Sequence, residues 1–174
     1  MFSRKKQSLE KTFGLLNGPN LGRLGFGRST EIYGPTTLAD IEQSLKELAK
    51  SNDCQMICFQ SQSEAKLIDY IFAHEKQVLG WIINPGALMM SGYSLADAIE
   101  DSYQIFVEVH LSKVFSREEK RHNSLISPYC YGQIIGFGPL VYELALLALI
   151  DATTNKKISF TPLDLRVWAT ALPT

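Results

Sequence analysis

Cysteine and histidine are both scarce in this chain, three of each among 174 residues. Cys54, Cys58 and Cys130 are an odd and sparse set that suits a reducing compartment rather than a disulfide framework. No Cys-x-x-Cys and no pair of histidines at ligand spacing occurs, so the sequence implies no metal. An excess of either charge is missing too. With 17 basic against 18 acidic residues, the net charge is -1. Nothing there would displace counterions from a nucleic acid, and Arg4-Lys5-Lys6 reads as part of a solvated tail. Also absent is any run of ~18 apolar residues, which excludes a spanning helix. The first twelve residues lack the apolar centre of a signal peptide, so a cytoplasmic protein is expected.

What is present is ordinary for one folded domain, 45% hydrophobic and 20% charged. A chain of this length buries roughly two-thirds of its unfolded surface. Short apolar runs alternate with amphipathic helical patterns, which predicts a parallel sheet with crossover helices. Strands are expected at Thr12 to Leu16, Gln55 to Phe59, Leu79 to Ile83, Gln104 to His110 and Gln133 to Ile135. Helices are expected at Thr37 to Lys50, Ser63 to His74, Leu95 to Glu100 and Pro139 to Ile150. The domain is placed at 12–152, between a loosely ordered tail at 1–11 and a C-terminal extension at 153–174. That extension carries Phe160, Leu163, Leu165 and Trp168 without a clear period.

Polar clusters follow four of the strands: Asn17-Gly18-Pro19-Asn20, Gln60-Ser61-Gln62-Ser63, Asn84-Pro85-Gly86 and His110-Leu111-Ser112. In an open parallel sheet such ends share one rim, where ligands bind. Glu108 and His110 stand two apart on a strand and face the same way, so a carboxylate lies beside an imidazole, as a general acid requires. Their bland alternative is a charged pair on an exposed strand face. From Gly18 to Gly34 the chain shows no helical or strand pattern, which reads as a lid. Its reactive side chains are Arg28 and Tyr33. A phenol titrates near ~10, and a neighbouring guanidinium stabilises its anion. In Ser116 to Ser124, either Arg117 or Arg121 could fold over a bound anion or hydroxyl. Gly25-Phe26-Gly27 and Gly136-Phe137-Gly138 lack the spacing of a dinucleotide fingerprint.

Taken in order, L-N-G-P-N-L-G-R-L-G, R-S-T-E-I-Y-G, Q-S-Q-S-E, I-N-P-G-A, V-E-V-H-L-S and S-R-E-E-K-R-H-N-S resemble the type II 3-dehydroquinate dehydratases. The resemblance implies a flavodoxin-like α/β sandwich with a five-stranded parallel sheet in order 2-1-3-4-5. It also implies trimers assembled into dodecamers, and cofactor-free dehydration of 3-dehydroquinate to 3-dehydroshikimate in the shikimate pathway. By that resemblance Tyr33 is the base, Arg28 lowers its pKa, and Asn20 steadies the enolate through a water. His110, oriented by Glu108, protonates the leaving hydroxyl. Asn84 and the Leu111–Ser112 turn grip the substrate carboxylate, Arg121 meets a ring hydroxyl, and Asp97 reaches a neighbouring subunit's site.

Three departures stand out. The lid has one extra residue before Arg28, and Leu125 replaces a common tyrosine. Met90 stands where the family has a histidine that binds a substrate hydroxyl. A thioether accepts weakly and does not donate. Losing one such partner costs about 1–3 kcal/mol. This leaves two alternatives open beside the dehydratase: a non-catalytic binding or regulatory homologue, and a lyase for a related cyclic acid.

Overall fold

The computed structural model describes residues 11–154; the N-terminal tail and most of the C-terminal extension lie outside them. In chain order the main elements are β1 Lys11–Asn17, α1 Thr30–Tyr33, α2 Leu38–Ser51, β2 Cys54–Gln60, α3 Glu64–His74 and β3 Gly80–Asn84. They continue with α4 Tyr93–Asp101, β4 Ile105–His110, β5 Gly132–Ile135 and α5 Leu140–Thr154. Five strands form one parallel sheet in the order β2-β1-β3-β4-β5, as expected.

Alternation along each strand sorts side chains onto two faces. Phe13, Leu15, Ile82, Val107 and Val109 pack beneath α2 and α5, with Ile41, Leu45, Tyr142 and Leu146. Leu16, Trp81, Ile83 and Phe106 pack beneath α3 and α4, with Leu67, Ile71, Leu95 and Ile99. Both faces are covered, so the central strands read as near-continuous apolar runs. The start of α2 is fixed by a capping box, in which Thr37 and Asp40 satisfy each other's backbone amides. Ser63 caps α3 in the same manner with one bond, to the amide of Lys66.

The segment from Gly18 to Gly34, expected to lack regular structure, contains a short 3-10 turn at Leu21–Arg23 and the four-residue α1. Neither is long enough to complete a hydrophobic period, so no pattern could announce them. Four further 3-10 turns lie in the connections, at Gly86–Met90, Val114–Ser116, Glu119–Arg121 and Ser127–Tyr129. No helix of the described residues is long and apolar enough to cross a membrane.

Candidate active site

Beyond the strand ends, backbone hydrogen bonds continue the ladder and tie the polar turns together. The Gly18 amide donates to the Asn84 carbonyl at 2.8 Å, Ser61 to Asn17 at 3.0 Å, and Gly136 to His110 at 2.9 Å. Gly18 has no alternative here, because a Cβ would collide with the Pro85 carbonyl. Gly86 turns with φ 58, a left-handed conformation that suits glycine. Asn20 also sits left-handed, at φ 69, which asparagine tolerates better than most residues. Its amide is held by Gln62 Oε1 at 2.8 Å. The first three strand-end clusters are thus one connected rim.

A cavity of about 310 Å³ opens on that rim. It is lined by Asn20, Arg28, Asn84, His110, Leu111, Ser112 and Arg121, all singled out from the sequence. Arg117, named there as the alternative to Arg121, lines it as well. A volume of this size suits a small ligand.

Glu108 and His110 are not a pair on an exposed face. Glu108 is fully buried and His110 is 5% exposed. The imidazole Nε2 lies 2.7 Å from Glu108 Oε1, and the Ser124 hydroxyl donates to the same oxygen at 2.7 Å. An ionised carboxylate only accepts, so Nε2 carries the proton and Nδ1 is the ring nitrogen left to exchange one. Ser124 was not singled out from the sequence as a partner. Its connector is pinned to the β3 turn by the Leu125 amide, which donates to the Met89 carbonyl at 2.8 Å. Beside this pair, burial and the Glu108 charge push the Cys130 thiol well up, so it stays protonated and inert. Cys54 is buried as expected, whereas Cys58 is only partly so; burial first, and Glu42 next, push its thiol up to about 12.

Arg121, which lines the cavity, donates from Nε to Glu118 Oε2 at 2.9 Å. Tyr33 ends α1, five residues after Arg28. The neighbouring Ile32 lines a second cavity together with Leu111, Ser112 and Arg117. The lid helix therefore stands over the turn that follows β4.

Glu108, buried behind His110, is not among the residues that line this cavity, and neither are Asp97 and Met90; the side chain of Tyr33 lies outside the described ones. Asp97 is exposed on the outer side of α4. Met90 does not line the cavity; its neighbour Met89, 2% exposed, does. The 3-10 turn at Gly86–Met90 turns one methionine inward and the other away. Pro19 of the first strand-end cluster supplies apolar wall, together with Leu21 and Val114, which sequence reasoning missed. Asn17 and Tyr142 lie beneath it, both fully buried. A signal for Tyr142 existed: it is the lone phenol on a strongly apolar helix, and such a group needs a partner. Among the described residues no group of three or more His, Cys, Asp or Glu could hold a metal ion.

A doubly covered parallel sheet, with a buried carboxylate–imidazole pair beside amides and guanidinium groups on its carboxyl rim, defines an α/β enzyme site. Its chemistry is acid–base work on a small oxygen-rich anion. The family model described as Dehydroquinase class II matches residues 11–150. The chain belongs to this family. Relatives named 3-dehydroquinate dehydratase include one from Anoxybacillus flavithermus, 46% identical over 83% of this chain and 97% of the relative. Another, from Bacillus subtilis, is 45% identical over 80% and 93%. Among solved structures, the type II dehydroquinase of Butyrivibrio crossotus superposes with a TM-score of 0.77 at 37% identity, covering 80% of this chain and 97% of that one. That of Propionibacterium acnes gives 0.76 at 37% identity, covering 80% and 96%.

Proposed function

We infer that this chain dehydrates 3-dehydroquinate to 3-dehydroshikimate, a carbon–oxygen lyase reaction of the shikimate pathway. The observation that carries the reading is the convergence of Asn20, Arg28, Asn84, His110, Leu111, Ser112 and Arg121 on one cavity. A binding homologue or a lyase for another acid is not favoured, since the relatives carry the dehydratase name.

The elimination breaks a C–H bond beside the ketone and a C–O bond at the next carbon, forms a C=C bond and releases water. Tyr33 takes the proton as phenolate, with Arg28 holding that anion. Charge then moves to the ketone oxygen as an enolate. Asn20, through a bridging water, steadies it. His110 gives its proton to the departing hydroxyl, its ring oriented by Glu108 at 2.7 Å. The Leu111–Ser112 turn and Asn84 take the substrate carboxylate, and Arg121 a ring hydroxyl. Asp97 serves a neighbouring copy's cavity in trimers that build a dodecamer; its exposure beside Tyr93, four residues earlier on the outer side of α4, supports this. The cytoplasm is the compartment this biosynthetic reading favours.

Mixing the purified protein with 3-dehydroquinate is expected to raise the ultraviolet absorbance of a conjugated enone. Folded protein with no rise above the uncatalysed rate would overturn the reading.

A further inference from the structure

Beneath the cavity, three side chains from three elements form a short relay. Asn84 Nδ2 donates to the Tyr142 hydroxyl at 2.9 Å, and that hydroxyl donates to Asn17 Oδ1 at 2.8 Å. At the other end, the Gly86 amide donates to Asn84 Oδ1 at 3.2 Å. We propose that Tyr142 is a positioning residue that fixes which atoms Asn84 presents to the substrate. The proposal rests on the reading above, in which Asn84 contacts that substrate.

The polarity of the relay has one source. A backbone amide can only donate, so Gly86 assigns the oxygen of Asn84 to its own side. The Asn84 NH₂ is then turned toward Tyr142, whose hydroxyl must accept from it and pass its single proton to Asn17. Reversing the Asn84 amide would set an NH₂ against the Gly86 amide, breaking that bond. With Asn84 at 2% exposure and both Asn17 and Tyr142 at 0%, bulk water offers no substitute partners. Burial pushes the Tyr142 phenol well up, so it keeps the proton the relay needs. Asn17 Nδ2 has no partner among the described residues, so Asn17 serves here as an acceptor. Asn84 lines the cavity and has spent one of its two amide protons on Tyr142. What it offers a ligand is therefore a second N–H, a donor suited to a carboxylate or hydroxyl oxygen.

A contact to an oxygen whose charge does not change during the reaction strengthens ground and transition states alike, and so appears in KM. The test is a double-mutant cycle of Tyr142→Phe with Asn84→Ala, read with 3-dehydroquinate. Tyr142→Phe is expected to raise KM about tenfold while kcat stays within about twofold. In the Asn84→Ala background the same substitution is expected to move KM by less than about twofold. A purely structural role for Tyr142 would give similar changes in both backgrounds, and an unchanged KM in the single variant would also overturn the proposal. If Tyr142→Phe does not fold, Asn17→Leu removes the acceptor from outside the cavity. It is expected to raise KM several-fold, and an unchanged KM would again overturn the proposal. Calorimetric titration with quinate, a ring acid lacking the ketone, gives the same comparison as a Kd. It separates the two ideas: a wild-type protein that binds quinate without turning over 3-dehydroquinate contradicts the dehydratase reading. A quinate Kd unaffected by Tyr142→Phe contradicts the positioning role.

Discussion

The two halves of the site are built by opposite means. On the rim, Glu108 and His110 lie at the end of β4, an interior strand, buried, with Ser124 closing over the carboxylate. Over the lid, Phe26 is 76% and Ile32 55% exposed. From Leu21 onward, hydrogen bonds such as those from Gly27 to Arg23 and from Ile32 to Ser29 stay within the lid. The fold itself sets the geometry of the Glu108–His110 pair, whereas Arg28 and Tyr33 ride on the part of the lid after Leu24, which gives no described residue to the buried core. A group that must hold a fixed tautomer gains from burial; a group that must admit and release substrate does not.

The largest effect is expected on the rim. His110→Gln keeps a donor for Glu108 but has no titratable proton, and kcat is expected to fall by about 10²–10⁴ in the enone assay. A fall of less than tenfold would remove His110 from the acid role. On the lid, Arg28→Gln is expected to lower kcat by about 10–100-fold, through a less stable phenolate, with the melting temperature unchanged. A large loss of stability there would erase the contrast between the halves. Ser124→Ala leaves the Glu108 carboxylate one hydrogen bond poorer and is expected to cost about 1–2 kcal/mol in chemical denaturation. Phe26→Ser is expected to change stability by under ~0.5 kcal/mol, since an exposed side chain has few contacts to lose.

The same contrast explains what could be read from the sequence. The sheet was legible because buried parallel strands are short apolar runs and their turns are polar, so the rim at Asn84 and His110 followed from order alone. Glu108 and His110 were legible as a pair, since strand spacing puts them on one face; their burial was not, because Ser124 covers them from a connector without a period. Tyr142 reaches Asn84 across 58 residues, and no local pattern encodes that contact. Met89 and Met90 are neighbours in one turn of 3-10 helix, and only the backbone decides which one faces the cavity. Asn20 was legible as a polar rim residue, but its left-handed backbone was not.

The division between lid and rim is tested most directly by proton NMR of 3-dehydroquinate in D₂O with two variants. If the lid supplies the base and the rim the acid, His110→Gln will exchange the hydrogen beside the ketone for deuterium while releasing little product. Tyr33→Phe will do neither. Exchange that persists in Tyr33→Phe but disappears in His110→Gln would contradict the account and assign the base to the rim.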